Sequence, residues 1–82
     1  MPYITKDRRI GIGKNYCPRT PGELNYMITM LLQRYIETRN RNYQTWNDIL
    51  GALEGAKLEF YRRVVAPYED EKIIENGDVY DA

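Results

Sequence analysis

The stretch TPGELNYMITMLLQRYI, residues 20–36, decides the fold. Thr20 at an N-cap, Pro21 at the first helical position and Glu23 at the third form a capping box. In such a box each of the two side chains satisfies a backbone donor at the other's position. Behind the cap, Leu24, Met27, Ile28, Leu31, Leu32, Tyr35 and Ile36 recur at spacings of three and four. This lays one apolar stripe along about four helical turns. The helix is expected over residues 20–39, ending where Arg39 and Arg41 sit favourably beside the negative end of the helix dipole.

Downstream, Thr45-Trp46-Asn47-Asp48 repeats the cap logic, with Asp48 in the place of the glutamate. The short connection from Asn40 to Gln44 would make the two helices antiparallel neighbours. Trp46, Ile49, Leu50, Leu53, Ala56, Phe60 and Val64 form the second stripe, so this helix is expected over residues 45–66. Gly51 and Gly55 cost up to about 1 kcal/mol each against alanine; they either mark the close approach of another helix or are simply tolerated. Pro67 lacks an amide hydrogen and clashes with the preceding turn, so it should stop or kink the helix. It is also a good first residue for a short third helix over residues 67–76, with Glu69, Asp70 and Glu71 in the first turn and Asn76-Gly77 as the stop. Residues 77–82 read as a tail. Residues 1–19 read as a basic arm, extended or irregular, in which Ile10 to Gly13 is a weak candidate for an edge strand.

The fold class is therefore all-α: one small domain over residues 1–82, an antiparallel two-helix hairpin with a short third helix. A chain of 9.7 kDa buries only about 60% of its unfolded surface, and two helices cannot cover each other's stripes. Assembly as a homo-oligomer follows as an expectation.

Composition removes several chemistries. The chain has no histidine, so it offers no imidazole base, no Ser-His or Cys-His nucleophile pair and no Cys/His zinc set. The lone Cys17 cannot form an internal disulfide, which favours a reducing compartment. The longest uninterrupted apolar run is Met30-Leu31-Leu32, and residues 1–6 have no apolar signal region. A cytoplasmic protein without a membrane span is expected. Glu54 and Glu59 lie about 140° apart around a helix, a poor arrangement for Mg²⁺, and Glu59 is better explained by pairing with Arg62 or Arg63. No enzyme, metal or cofactor is expected.

The net charge of zero hides a division. Residues 1–42 carry eight cations against three acids, and residues 43–82 carry four against nine. Such asymmetry can favour head-to-tail docking of subunits or present a basic surface to an anionic ligand. It equally suits two separately solvated surfaces. In the arm, Arg8, Arg9 and Lys14 flank exposed glycine backbone, with Arg19 further on, the ingredients of a generic anion site without Walker-loop spacing. Tyr3 and Tyr26 lie in the same basic half, where a ring can stack on a base while a cation holds a phosphate. Arg8, Arg9, Lys14, Arg19, Tyr3 and Tyr26 are thus the candidate ligand-binding residues. Tyrosine and arginine are also enriched at protein interfaces, which keeps a protein-contact reading open. Duplex nucleic acid is a poor partner for a chain whose acidic half would repel it.

Residues 22–26, residues 53–69, which contain Leu53-Glu54-Gly55-Ala56-Lys57-Leu58-Glu59-Phe60-Tyr61-Arg62-Arg63, and Glu75-Asn76-Gly77-Asp78-Val79-Tyr80 resemble a family of small proteins carried by tailed bacteriophages and prophages. The resemblance spans most of residues 20–80 and implies a phage protein working in the host cytoplasm. It carries no catalytic role over to any residue. Together with the tyrosines and the basic arm, it leads to the expectation of a non-enzymatic protein that sequesters a small anionic, nucleotide-type ligand of host defence signalling at its subunit interfaces. The alternative is a protein-protein inhibitor or adaptor that acts on a host protein.

Overall fold

The structure, a computed structural model, describes residues 2–80 and is all-helical, with no strand among them. Met1 of the arm and Asp81 and Ala82 of the tail lie outside the described residues. The chain divides into two compact units, Met1–Thr45 and Trp46–Ala82.

The first unit opens with a helix that the sequence reading placed in an extended arm. This helix, α1, runs Lys6–Ile10 and is capped by Thr5, whose Oγ1 accepts the Arg8 N–H at 3.4 Å. Five residues are too few to display a helical period, and only the Thr5 cap and Asp7 in the first turn announce the turn locally. The edge-strand reading of Ile10 to Gly13 is overturned as well: Ile10 closes α1, and the Ile12 N–H donates back to the Arg9 carbonyl at 3.1 Å.

The second helix, α2, spans Pro21–Glu37. Thr20 Oγ1 accepts the Glu23 N–H at 3.1 Å, which is the first half of the expected capping box. The return half is displaced by one residue, because Glu23 Oε1 accepts the backbone N–H of Arg19 at 2.9 Å instead of that of Thr20. At its other end α2 stops two residues short of the expected limit. The Thr38 hydroxyl donates to the Tyr35 carbonyl at 3.1 Å, and the Arg39 guanidinium lies 4.4 Å from the Tyr35 ring centroid.

Helix α3 spans Tyr43–Phe60 and begins before the expected Thr45 cap. Asn42 is the residue that caps it, with Oδ1 accepting the Thr45 N–H at 2.9 Å. Thr45 sits inside the first turn, donates from Oγ1 to the Asn40 carbonyl at 2.6 Å, and is only 7% exposed. Both residue types cap well, and the turn at residues 38–42 selects the asparagine.

Pro67 does not end the helix. From α3 the chain passes through a π-helical segment, Tyr61–Val65, directly into α4, Ala66–Asn76. The Ala66 N–H donates to the Tyr61 carbonyl five residues back. Widening the turn in this way moves the carbonyls that a proline ring would strike, so the helix runs on. The expected third helix over residues 67–76 is thus present as α4, with Pro67 in its first turn, and the π-helical segment joins it to α3 without a break. The Tyr61 hydroxyl donates to Glu69 Oε1 at 2.5 Å across the wide turn, a contact that raises the Tyr61 pKa. Glu59 pairs with both Arg62 and Arg63, as its spacing suggests. Gly77 then turns the chain off α4 at φ 89°, a conformation that glycine adopts without steric penalty, and its N–H donates to the Ile73 carbonyl at 2.8 Å.

No hydrophobic side chain is buried among the described residues. The two buried side chains are polar: Glu23, 1% exposed, and Thr45. The apolar stripes stay open to solvent, with Leu31, Leu50, Leu58 and Phe60 each more than half exposed. No helix of the described residues is long and apolar enough to cross a membrane.

Candidate functional site

Within the first unit, the arm is tied to the start of α2 by a carboxylate. Glu23 Oε1 accepts from the Tyr16 hydroxyl at 3.0 Å and from the Arg19 N–H at 2.9 Å, and Oε2 accepts from the Arg8 guanidinium. Four groups of the segment 8–20 thus converge on this one residue, the fourth being the Thr20 hydroxyl at its amide. A buried carboxylate is tolerated when its lone pairs are filled in this way. The Arg19 amide, and then the Arg8 and Tyr16 side chains, hold the Glu23 pKa below the ordinary glutamate value against the opposing effect of burial. The same bond to Glu23 raises the pKa of the Tyr16 phenol.

The next residue of α1 is also engaged. Arg9 Nε donates to the Ile4 carbonyl at 3.0 Å, and its guanidinium lies 5.8 Å from the centroid of the Tyr26 ring. The structure therefore brings Arg8, Arg9, Arg19 and Tyr26 close to the start of α2, around Glu23 and the backbone of the arm itself. Tyr3 stays 76% exposed.

Lys14 belongs to a different feature. A groove of about 230 Å³ is lined by Ile12, Lys14, Met27, Met30, Leu31 and Arg34. Met27, Leu31 and Arg34 are spaced i, i+4, i+7 and share one face of α2, and Gly13 completes the lining from the arm. The result is a floor of thioether and aliphatic groups beneath two cations. Neither Lys14 nor Arg34 forms an ion pair among the described residues. Chemically, the groove suits an anionic group attached to an apolar body.

The second unit carries a wider, acidic groove of about 690 Å³ between α4 and the tail. Tyr61, Tyr68, Glu69, Asp70, Asp78 and Tyr80 contribute to its lining. Its carboxylates make it unsuited to phosphate. Among the described residues no group of three or more His, Cys, Asp or Glu side chains is placed to hold a metal ion, and Cys17 is exposed.

The sequence reading missed the groove residues Ile12, Met27, Met30 and Arg34 as a site, and it missed Glu23 as an anchor. For the groove a signal existed: the stripe of α2 ends its Met27-Leu31 face on a cation. For the anchor there was none beyond the capping box, because the partners Arg8 and Tyr16 meet Glu23 only in three dimensions.

A family model described as Domain of unknown function (DUF6899) matches residues 1–79 of this chain. No curated protein and no solved structure matches it.

Proposed function

We propose that this chain, which belongs to the DUF6899 family, acts by occupancy: it is a non-enzymatic helical interaction protein whose open apolar faces are completed by further copies of itself and by a target protein. One observation carries this reading. No hydrophobic side chain among the described residues is buried, although 43% of the sequence is hydrophobic. Apolar surface left in water costs about 25 cal/mol per Å², and contiguous exposed apolar faces are the mark of interaction surfaces. The lack of histidine supports a role without catalysis. The resemblance to phage and prophage proteins makes a host protein the natural target, met in the host cytoplasm.

A second reading, sequestration of a small nucleotide-type anion at subunit interfaces, draws support from one feature. Lys14 and Arg34 are cations without an ion-pair partner among the described residues, on the rim of an apolar floor. Arg8 is less available for it, since Glu23 already neutralises that guanidinium.

Light scattering at micromolar concentration, followed by affinity capture from host lysate, tests the first reading. The expected outcome is an oligomeric mass and a retained host protein, both lost in Leu31→Asp or Leu50→Asp. A monomer that captures nothing would overturn it. Calorimetry against linear and cyclic nucleotides tests the second: heat of binding that disappears in a Lys14→Ala/Arg34→Ala variant would move the function to the small anion.

A further inference from the structure

We infer that the C-terminal segment of one copy, residues 78–80, docks into the Lys14–Arg34 groove of a second copy. The inference rests on the self-assembling reading above and specifies which parts of the two copies meet.

The tail lines the groove beside its own α4 and still leaves its side chains exposed. Gly77 stops α4 at positive φ and redirects the chain, after which residues 77–80 have no regular structure. The Tyr80 N–H donates to Asp78 Oδ1 at 3.0 Å, which closes a local turn over residues 78–80. Val79 is 89% exposed and Tyr80 82% exposed. An acid followed by two apolar side chains, presented on a fixed turn, is a ligand waiting for a cationic rim and an apolar floor.

The groove offers that combination. Lys14 and Arg34 supply the positive rim, and Met27, Met30 and Leu31 supply the floor. Methionine floors adapt to irregular apolar partners. A free phosphate would satisfy the two cations and leave the floor in water, whereas the tail covers both. The wider charge pattern points the same way, since the groove lies in the half with eight cations against three acids and the tail in the half with four against nine. Complementary halves steer two identical chains head to tail, which sets orientation and association rate.

The test is a charge swap read by sedimentation equilibrium. Asp78 and Arg34 are both exposed, so Asp78→Arg and Arg34→Glu should keep the helical circular dichroism of the wild type. Each variant alone should associate at least tenfold more weakly than wild type. An equimolar mixture of the two should recover association to within a few-fold, because the basic tail of the first meets the carboxylate introduced at position 34 of the second and the unaltered tail and groove meet in return. If wild type assembles and neither single variant weakens it, the tail contact is wrong while self-assembly stands. If wild type is a monomer, the underlying reading fails as well. If the two changes restore association only when placed on one chain and never on mixing, the contact with a second copy is overturned. Tyr80→Ala, which leaves every charge in place, should weaken assembly through the floor alone; an unchanged constant there would also count against the docking.

Discussion

Arg8 and Glu23 are fifteen residues apart in sequence and form an ion pair in which the carboxylate is 1% exposed and the guanidinium 57% exposed. This pair, with the Tyr16 hydroxyl and the Arg19 amide on the same carboxylate, makes the arm part of the first unit. Arg8, one of the candidate ligand-binding cations, thus also ties the arm to α2.

Removing that pair should loosen the arm before it unfolds α2. Arg8→Ala leaves the buried carboxylate with one donor fewer, the arrangement that costs most when a buried polar group loses a partner. The expected result is a melting temperature lower by the order of 5 °C and faster amide exchange over residues 4–12. Tyr16→Phe should show the same pattern with a smaller shift. Unchanged exchange in the arm of Arg8→Ala would show that the pair does not anchor it.

Acid should undo the same anchor. The Glu23 pKa is lowered in the folded protein, so its contribution to stability is fully present above the unfolded value near 4.5 and is lost as pH falls through the folded value. Thermal melts of wild type and Glu23→Gln should therefore differ at pH 7 and converge as pH drops well below 4.5. A gap that stays constant across that range would mean the carboxylate charge is not what stabilises the arm.

At the start of α3, Asn42→Ala should cost about 1 kcal/mol by urea denaturation, the usual worth of a lost cap. An unchanged urea midpoint for Asn42→Ala would return the cap to Thr45.

Pro67→Ala should tighten the helix. With an amide hydrogen at residue 67 and no ring to avoid, the segment can return from the wide turn to the α-helical pattern, a gain of up to about 3 kcal/mol. Hydrogen exchange should show greater protection over residues 62–70. Reduced protection would indicate that the wide turn is held by Tyr61 and Glu69 and not imposed by the proline.

The sequence by itself determined the elements with long, capped periods. The Thr20 cap and the stripe from Leu24 to Ile36 place α2 to within two residues, because caps and apolar spacing act within a single helix and need no partner. It also determined the Glu59 pairs, which depend only on helical spacing. Tertiary structure decided what depends on distant or competing groups. The turn of α1 carries Arg8 to Glu23, a partner fifteen residues away, and a five-residue segment carries no periodic signal of its own. Whether Pro67 ends a helix or is absorbed by a wide turn depends on how the preceding carbonyls can shift, which residue type alone does not encode. Likewise the groove exists because Gly13 and Lys14 pass beside the Met27-Arg34 face of α2, a proximity that arises only once the arm has folded back onto that helix.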